Sequence, residues 1–230
     1  MTTWTEVARS PGALLVVPLG SYEQHGPHLP LDTDTRIACA LVQRISGLGF
    51  VHVAAPFGYG ASGEHADFSG TLSIGTGVLA DALVELVRSA RGAFGTVVVV
   101  CAHGGNADAL VAAQERCRRD GDTLGVWWAC PKGDAHAGRT ETSLMLAIDP
   151  STVREEAIEP GRREPLEVLW PELRRHGVKA VSSNGVLGDP RGASALEGKD
   201  MLDAMASDLE AVLRELWLRT AAGGVSRGER

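Results

Sequence analysis

Glu23, His25 and Asp34 stand together within LVVPLGSYEQHGPHLPLDTDTR, residues 15–36, and their types suit a divalent metal ion. In extended chain, residues i and i+2 point to the same side. Glu23 and His25 can therefore reach one point from the mouth of a strand. Gly26, Pro27 and Pro30 forbid a helix and turn the chain back, which brings Asp34 towards the same point. Two carboxylates and an imidazole suit Zn²⁺, Mn²⁺ or Fe²⁺. The same residues also read as a plain polar loop after a buried strand.

Two further segments carry comparable groups. HGGN follows VVVVCA directly. His103 is placed to act as a strand-end ligand, Gly104 and Gly105 let other groups approach, and Asn106 can cap the next helix. A capping turn with an incidental His fits that segment too. In DAHAGRTETS, residues 134–143, Thr140 is placed to cap a helix, with Glu141 in its first turn. The helix dipole favours a carboxylate there, so capping and ligation stand as equal readings of Glu141. Glu64 and His65, in SGEHADF, read as pocket lining or as support for a ligand. His28 reads either as a partner that orients a ligand or as a loop residue. His52 and His176 read as structural or solvated. Trp127 and Trp128 read as core, and Trp170, beside Pro171 in a helical segment, is ambiguous.

Taken together, three carboxylates (Glu23, Asp34, Glu141) and two imidazoles (His25, His103) are the usual supply for two divalent ions sharing one carboxylate. Two such ions, three carboxylates and one bridging hydroxide sum to neutrality. Without metal, the carboxylates would repel and be partly protonated. A metal pair lowers the pKa of bound water, polarises a carbonyl and clamps a tetrahedral intermediate. His136 is left over as a proton shuttle to a leaving nitrogen, a task that suits a pKa near the working pH.

These groups need a rigid scaffold, and the chain reads as α/β. Leu14 to Val17, Val51 to Ala55, Thr96 to Cys101 and Leu124 to Ala129 read as strands. The run Thr96 to Cys101, β-branched and uninterrupted, suits the centre of a parallel sheet. Thr35 to Ser46, Val78 to Arg91, Ala107 to Arg119, Glu141 to Ile148 and Asp200 to Thr220 read as helices. Gly58 to Gly75 is a long loop of the kind that usually carries function. Alternating strands and helices predict a mostly parallel sheet between helix layers, with the site outside the carboxyl ends of the strands. The 230 residues, 44% of them hydrophobic, suit one domain, with about 1–12 and 221–230 as flexible tails. A net charge of -7 without a basic stripe argues against nucleic acid. No apolar run is long enough to span a bilayer and no leader is evident, so a cytoplasmic protein is expected. Cys39, Cys101, Cys117 and Cys130 show no CxxC spacing and read as buried thiols.

The phrases PLGSYEQHGPHLPLDTD, GASGEHADFSGTLSIG, HGGN and HAGRTETSLML resemble the creatininase (creatinine amidohydrolase) family, in order and over most of the chain. The resemblance implies a three-layer α/β/α fold, a binuclear centre of Zn, Fe or Mn, amide hydrolysis, and homo-oligomers such as hexamers. It implies Glu23, His25, Asp34 and His103 as ligands, with Asp34 bridging, and His136 as the catalytic histidine. Creatininase has a metal-binding Glu where this chain has Gly105, so Glu141 is the candidate replacement and creatinine is in doubt as substrate. PLDTDTRIA, YGASGEH, GDAHAGRTETS and GVLGDP resemble the mycofactocin-system branch. That branch would release a modified C-terminal Val-Tyr-derived fragment from a ribosomal precursor peptide on the way to a redox cofactor. The rival readings are hydrolysis of a small cyclic or formyl amide, as in creatinine or a flavin precursor, and a metal-binding protein without catalysis.

Overall fold

The computed structural model describes residues 3–129 and 133–224. Four strands, β1 (Leu14–Leu19), β2 (Val51–Val53), β3 (Thr96–Cys101) and β4 (Leu124–Trp128), form one parallel sheet in the order β2-β1-β3-β4. Every residue of β1 and β3 is buried. That burial is why neither strand shows a polar alternation in sequence: parallel sheets are covered on both faces.

Alternate residues feed two cores. Leu14, Val16, Val98 and Val100 pack beneath α2 (Thr33–Ile45), α5 (Arg139–Ile148) and α7 (Ala195–Gly224). Leu15, Val17, Leu19, Val97, Val99 and Cys101 pack beneath α3 (Thr76–Ala90) and α4 (Ala107–Arg119). The result is the three-layer α/β/α arrangement. A further helix, α6 (Leu166–Val181), covers a small cluster of its own with Leu187 and Phe68.

Several local expectations shift. β1 runs through Pro18 to Leu19, although proline cannot donate to a ladder. The Pro18 carbonyl accepts the Phe57 N–H at 2.9 Å, so the strand keeps a partner there. A short helix, α1 (Trp4–Ala8), lies within the stretch expected to be a tail, and its capping box joins Thr3 and Glu6. Helix α6 falls on the helical segment expected around Trp170 and Pro171, for which the pattern set no bounds. Pro171 lies inside it and Gly177, at φ 76°, kinks it, so its periodicity is broken. Cys101 and Cys117 are buried and Cys39 is half-buried. Cys130 lies outside the described residues. Trp127 is in the core, with its indole N–H on Asp208 at 2.8 Å, whereas Trp170 is half exposed. No helix among the described residues is long and apolar enough to cross a membrane.

The strand order places the site. From β1 the chain goes to β2 on one side and returns to β3 on the other. The switch point is therefore the gap between β1 and β3, where open α/β sheets form binding crevices. Glu23 and His25 follow β1, and His103 follows β3.

Candidate metal centre

The turn after β1 is shaped by contact with α2. A Cβ on Gly20 would sit 2.3 Å from the Thr35 nitrogen, so only glycine lets the start of α2 abut the strand end. Asp34 therefore lies in the first turn of α2, not in the loop where the sequence placed it. Ser21 Oγ donates to Asp34 Oδ2 at 2.7 Å and fixes the carboxylate.

Asp34 stands between two imidazoles. Its Oδ1 is 3.2 Å from His25 Nε2, and its Oδ2 is 3.2 Å from His103 Nδ1. Glu23 Oε2 is 3.1 Å from His103 Nε2, and Glu141 Oε2 is 3.9 Å from His25 Nε2. Potential donor atoms fall into three groups, each within 4.8 Å internally: Glu23–Asp34–His103, His25–Asp34–Glu141 and Glu23–His25–His136. The structure thus brings together all five residues expected as ligands, with Asp34 common to the first two groups.

Main-chain carbonyls orient the three imidazoles. His25 Nδ1–H donates to the Glu23 carbonyl at 3.0 Å, His103 Nε2–H to the Ala61 carbonyl at 3.2 Å, and His136 Nε2–H to the Gln24 carbonyl at 2.8 Å. Each ring then turns its other nitrogen, unprotonated in the neutral form, towards the carboxylates, as a metal-ligating His does. Gln24 sets a fourth ring. Its Oε1 accepts the Gly26 N–H at 2.9 Å, and its amide donates to the Gly185 carbonyl and to His65 Nδ1. His65 therefore carries its proton on Nε2, which faces Glu23 Oε1 at 3.3 Å.

The electrostatics are those of a cation site. Glu23 is fully buried, and its oxygens face imidazole nitrogens, His65 Nε2 at 3.3 Å and His103 Nε2 at 3.1 Å, without an aligned hydrogen bond among the described residues. A buried carboxylate without aligned hydrogen bonds is costly unless a cation meets it. Burial, the largest influence, pushes both Glu23 and Glu141 up to about 7. Burial alone would lower His25 and His103, but the surrounding carboxylates outweigh it and raise both to about 10. Asp34, despite burial, is held well below its usual value by His25 and His103. Protons on the imidazoles thus occupy the place that divalent cations fit.

The remaining residues divide. Glu141 has both roles open to it: Oε2 accepts the Ala137 N–H at 2.6 Å and also faces His25. Thr140 is not the cap of α5. The helix starts at Arg139, and Asp134 accepts the Arg139 and Thr140 N–H groups instead. Asn106 does occupy the N-cap position of α4, but its side chain makes no cap hydrogen bond there. Its Oδ1 accepts the Ala61 N–H at 2.8 Å and its Nδ2 donates to the Gly20 carbonyl at 3.0 Å, so it ties the β1 turn to the loop bearing Glu64. Among the described residues His28 forms no hydrogen bond or ion pair with the donor carboxylates; its Nε2 meets Thr142 Oγ1 at 2.9 Å and braces α5. His136 is reached by burial and by the charges of His25 and His65, which hold it well below the ordinary histidine range rather than near neutrality. His176 is exposed and His52 is half-buried at the far side, near Phe94. The sequence reading missed Ser21, Gln24 and the Ala61 carbonyl. Only Gln24, between two candidate ligands, carried a signal of its position.

The creatininase (creatinine amidohydrolase) family profile matches residues 1–213. The mycofactocin precursor peptide peptidase of Mycobacterium tuberculosis is 48% identical over 207 residues, covering 84% of this chain and 82% of that protein. The creatinine amidohydrolase of Pseudomonas putida is 24% identical, covering 93% and 94%. A solved manganese creatininase has a TM-score of 0.76 at 23% identity, covering 94% of this chain and 96% of that one.

Proposed function

The chain belongs to the creatininase family of metal-dependent amidohydrolases, and on that premise we propose that it is a peptidase of the mycofactocin precursor peptide. It would release the modified C-terminal Val-Tyr-derived fragment during redox-cofactor biosynthesis. The observation that carries this reading is the 48% identity, over 84% of the chain, to proteins named as that peptidase.

The donor set fits two divalent ions, Zn, Fe or Mn. Glu23, Asp34 and His103 would hold one, and His25, Asp34 and Glu141 the other, with Asp34 shared. When bound, the metal pair supplies Lewis-acid polarisation of the amide carbonyl and a water made acidic near neutral pH. The protein's own groups do the rest. Main-chain carbonyls fix the ring tautomers before substrate arrives, so no reorientation is needed during reaction. His136 donates from Nε2 to Gln24, which leaves Nδ1 as the atom that takes a proton and passes it to the leaving nitrogen. Glu23, sealed from water, keeps the donor pocket dry on its inner side. A homo-oligomer, hexameric or similar, belongs to the same proposal. Val168 and Trp170, exposed on α6, support it by offering apolar surface.

The test is turnover. Protein loaded with Zn²⁺ or Fe²⁺ is incubated with the decarboxylated, cyclised precursor peptide, with the unmodified peptide, with creatinine and with a formyl amide. Cleavage of the modified peptide alone supports the proposal. Equal cleavage of the unmodified peptide, or turnover of a small amide instead, overturns it.

A further inference from the structure

We propose that Glu64 reads the nitrogen side of the scissile bond, so that the site selects secondary amides, whose leaving nitrogen carries an N–H. The inference rests on the amide-hydrolase reading above and names the amides that site accepts.

Glu64 lies on a short 3-10 turn, Gly63–His65, in the loop between β2 and α3. The two side chains of this turn part company. His65 is buried against Glu23, whereas Glu64 is 35% exposed and reaches the rim of the donor cluster, with Oε1 3.7 Å from His103 Nε2. It belongs to none of the three donor groups, so it stands beside the metal donors rather than among them. Among the described residues no Lys or Arg pairs with it, and no hydrogen bond to its carboxylate is present.

Its placement is nonetheless built. A Cβ on Gly105 would lie 2.2 Å from Glu64 Oε1 and 2.4 Å from His103 Nε2. The missing side chain at position 105 is what admits the Glu64 carboxylate. From behind, the kink of α6 at Gly177 seats the backbone of the turn, where an added Cβ would meet the Glu64 carbonyl oxygen at 2.9 Å.

An ionised carboxylate only accepts hydrogen bonds. The partner that amide hydrolysis supplies at the rim of such a site is the nitrogen. That nitrogen enters as an amide N–H and leaves as an amine that gains positive charge. A carboxylate beside it interacts more strongly as the bond breaks, which is the condition for lowering the barrier. Glu64 itself moves no proton. An ester or an N-alkylated amide presents no N–H and forgoes the contact.

The experiment compares metal-loaded wild type, Glu64→Gln and Glu64→Ala on the modified peptide and on its counterpart with an ester at the scissile position. The ratio of amide to ester kcat/KM is expected to fall about 10-fold or more in Glu64→Ala, with Glu64→Gln between, since Gln keeps an acceptor oxygen. Metal content by elemental analysis should match wild type. Equal losses on amide and ester, or a loss of metal, overturn the assignment and make Glu64 a structural brace or a ligand. If wild type cuts neither peptide, the peptide reading fails. Calorimetric titration with benzylamine then decides Glu64: weaker binding in Glu64→Ala supports it, and unchanged binding overturns it.

Discussion

The Nδ1–H of His25 donates to the carbonyl oxygen of Glu23 at 3.0 Å. One turn of chain therefore supplies two of the proposed ligand side chains and, through its own backbone, fixes which nitrogen of the second is free. Glu23 itself is left with two buried oxygens and no aligned hydrogen bond among the described residues. Glu23→Gln removes the charge that a cation needs while keeping the shape. Wild type should gain about 2.7 kcal/mol of stability at Zn²⁺ concentrations a hundredfold above its Kd. The variant should show little of that gain in thermal melts with and without Zn²⁺. Equal stabilisation of both proteins contradicts ligation by Glu23.

Metal uptake should be strongly pH-dependent. Metal-free, His25 and His103 keep protons up to about 10, and Glu23 and Glu141 keep theirs up to about 7. Metal takes neutral imidazole and carboxylate, so loading displaces these protons. Affinity therefore rises with pH, more steeply below 7, where all four groups must lose protons, than between 7 and 10, where only the imidazoles must. Calorimetric titration with Zn²⁺ in two buffers of different protonation enthalpy counts the protons released. More should be released at pH 6 than at pH 8; equal numbers contradict the burial-driven shift of the two glutamates.

Asn106 separates two readings of one residue. As a helix cap, its loss would cost about 1 kcal/mol, and Asp would replace it well. As the tie between Ala61 and Gly20, its loss orphans a buried N–H and a buried carbonyl, at about 3 kcal/mol in all. Asn106→Ala should then melt roughly 6–12 °C lower. Asn106→Asp should not rescue it, because a carboxylate cannot donate to Gly20. A melt of Asn106→Asp equal to wild type contradicts the tie.

These residues also show what a sequence can and cannot disclose. The strand Thr96–Cys101 was legible because burial on both faces demands an uninterrupted β-branched run. Glu23 and His25 were legible because their spacing is that of one strand face. Asp34 was legible as a member of the donor cluster but not as a helix residue, since the close approach at Gly20 that starts α2 early is a tertiary contact. Gln24 and Ala61 act on rings 41 or 42 residues away, through contacts that no local pattern encodes. Around Trp170 helix α6 was legible as a helical segment but its bounds were not, because Pro171 and the kink at Gly177 interrupt the 3.6-residue period.

His136 should matter for turnover and not for metal. Its Nδ1 stands 3.9 Å from Glu23 Oε1 with its other nitrogen committed to Gln24. His136→Ala is expected to keep its metal and to lose about 10²- to 10⁴-fold in kcat, the usual scale for a lost general acid or base. Elemental analysis beside a progress curve checks both halves. Loss of metal would make His136 a ligand in the Glu23–His25 group, and retained turnover would remove it from the proton path.

Asp34 is proposed to hold two metal ions at once, and anomalous diffraction from crystals of the Zn²⁺-loaded protein measures that directly. Two peaks are predicted about 3.5–4 Å apart, the usual spacing of paired catalytic metals. One oxygen of Asp34 should face each peak. Glu23 and His103 should lie on one peak, and His25 and Glu141 on the other. A single peak, or a pair that leaves Asp34 outside the coordination of either ion, would contradict the account.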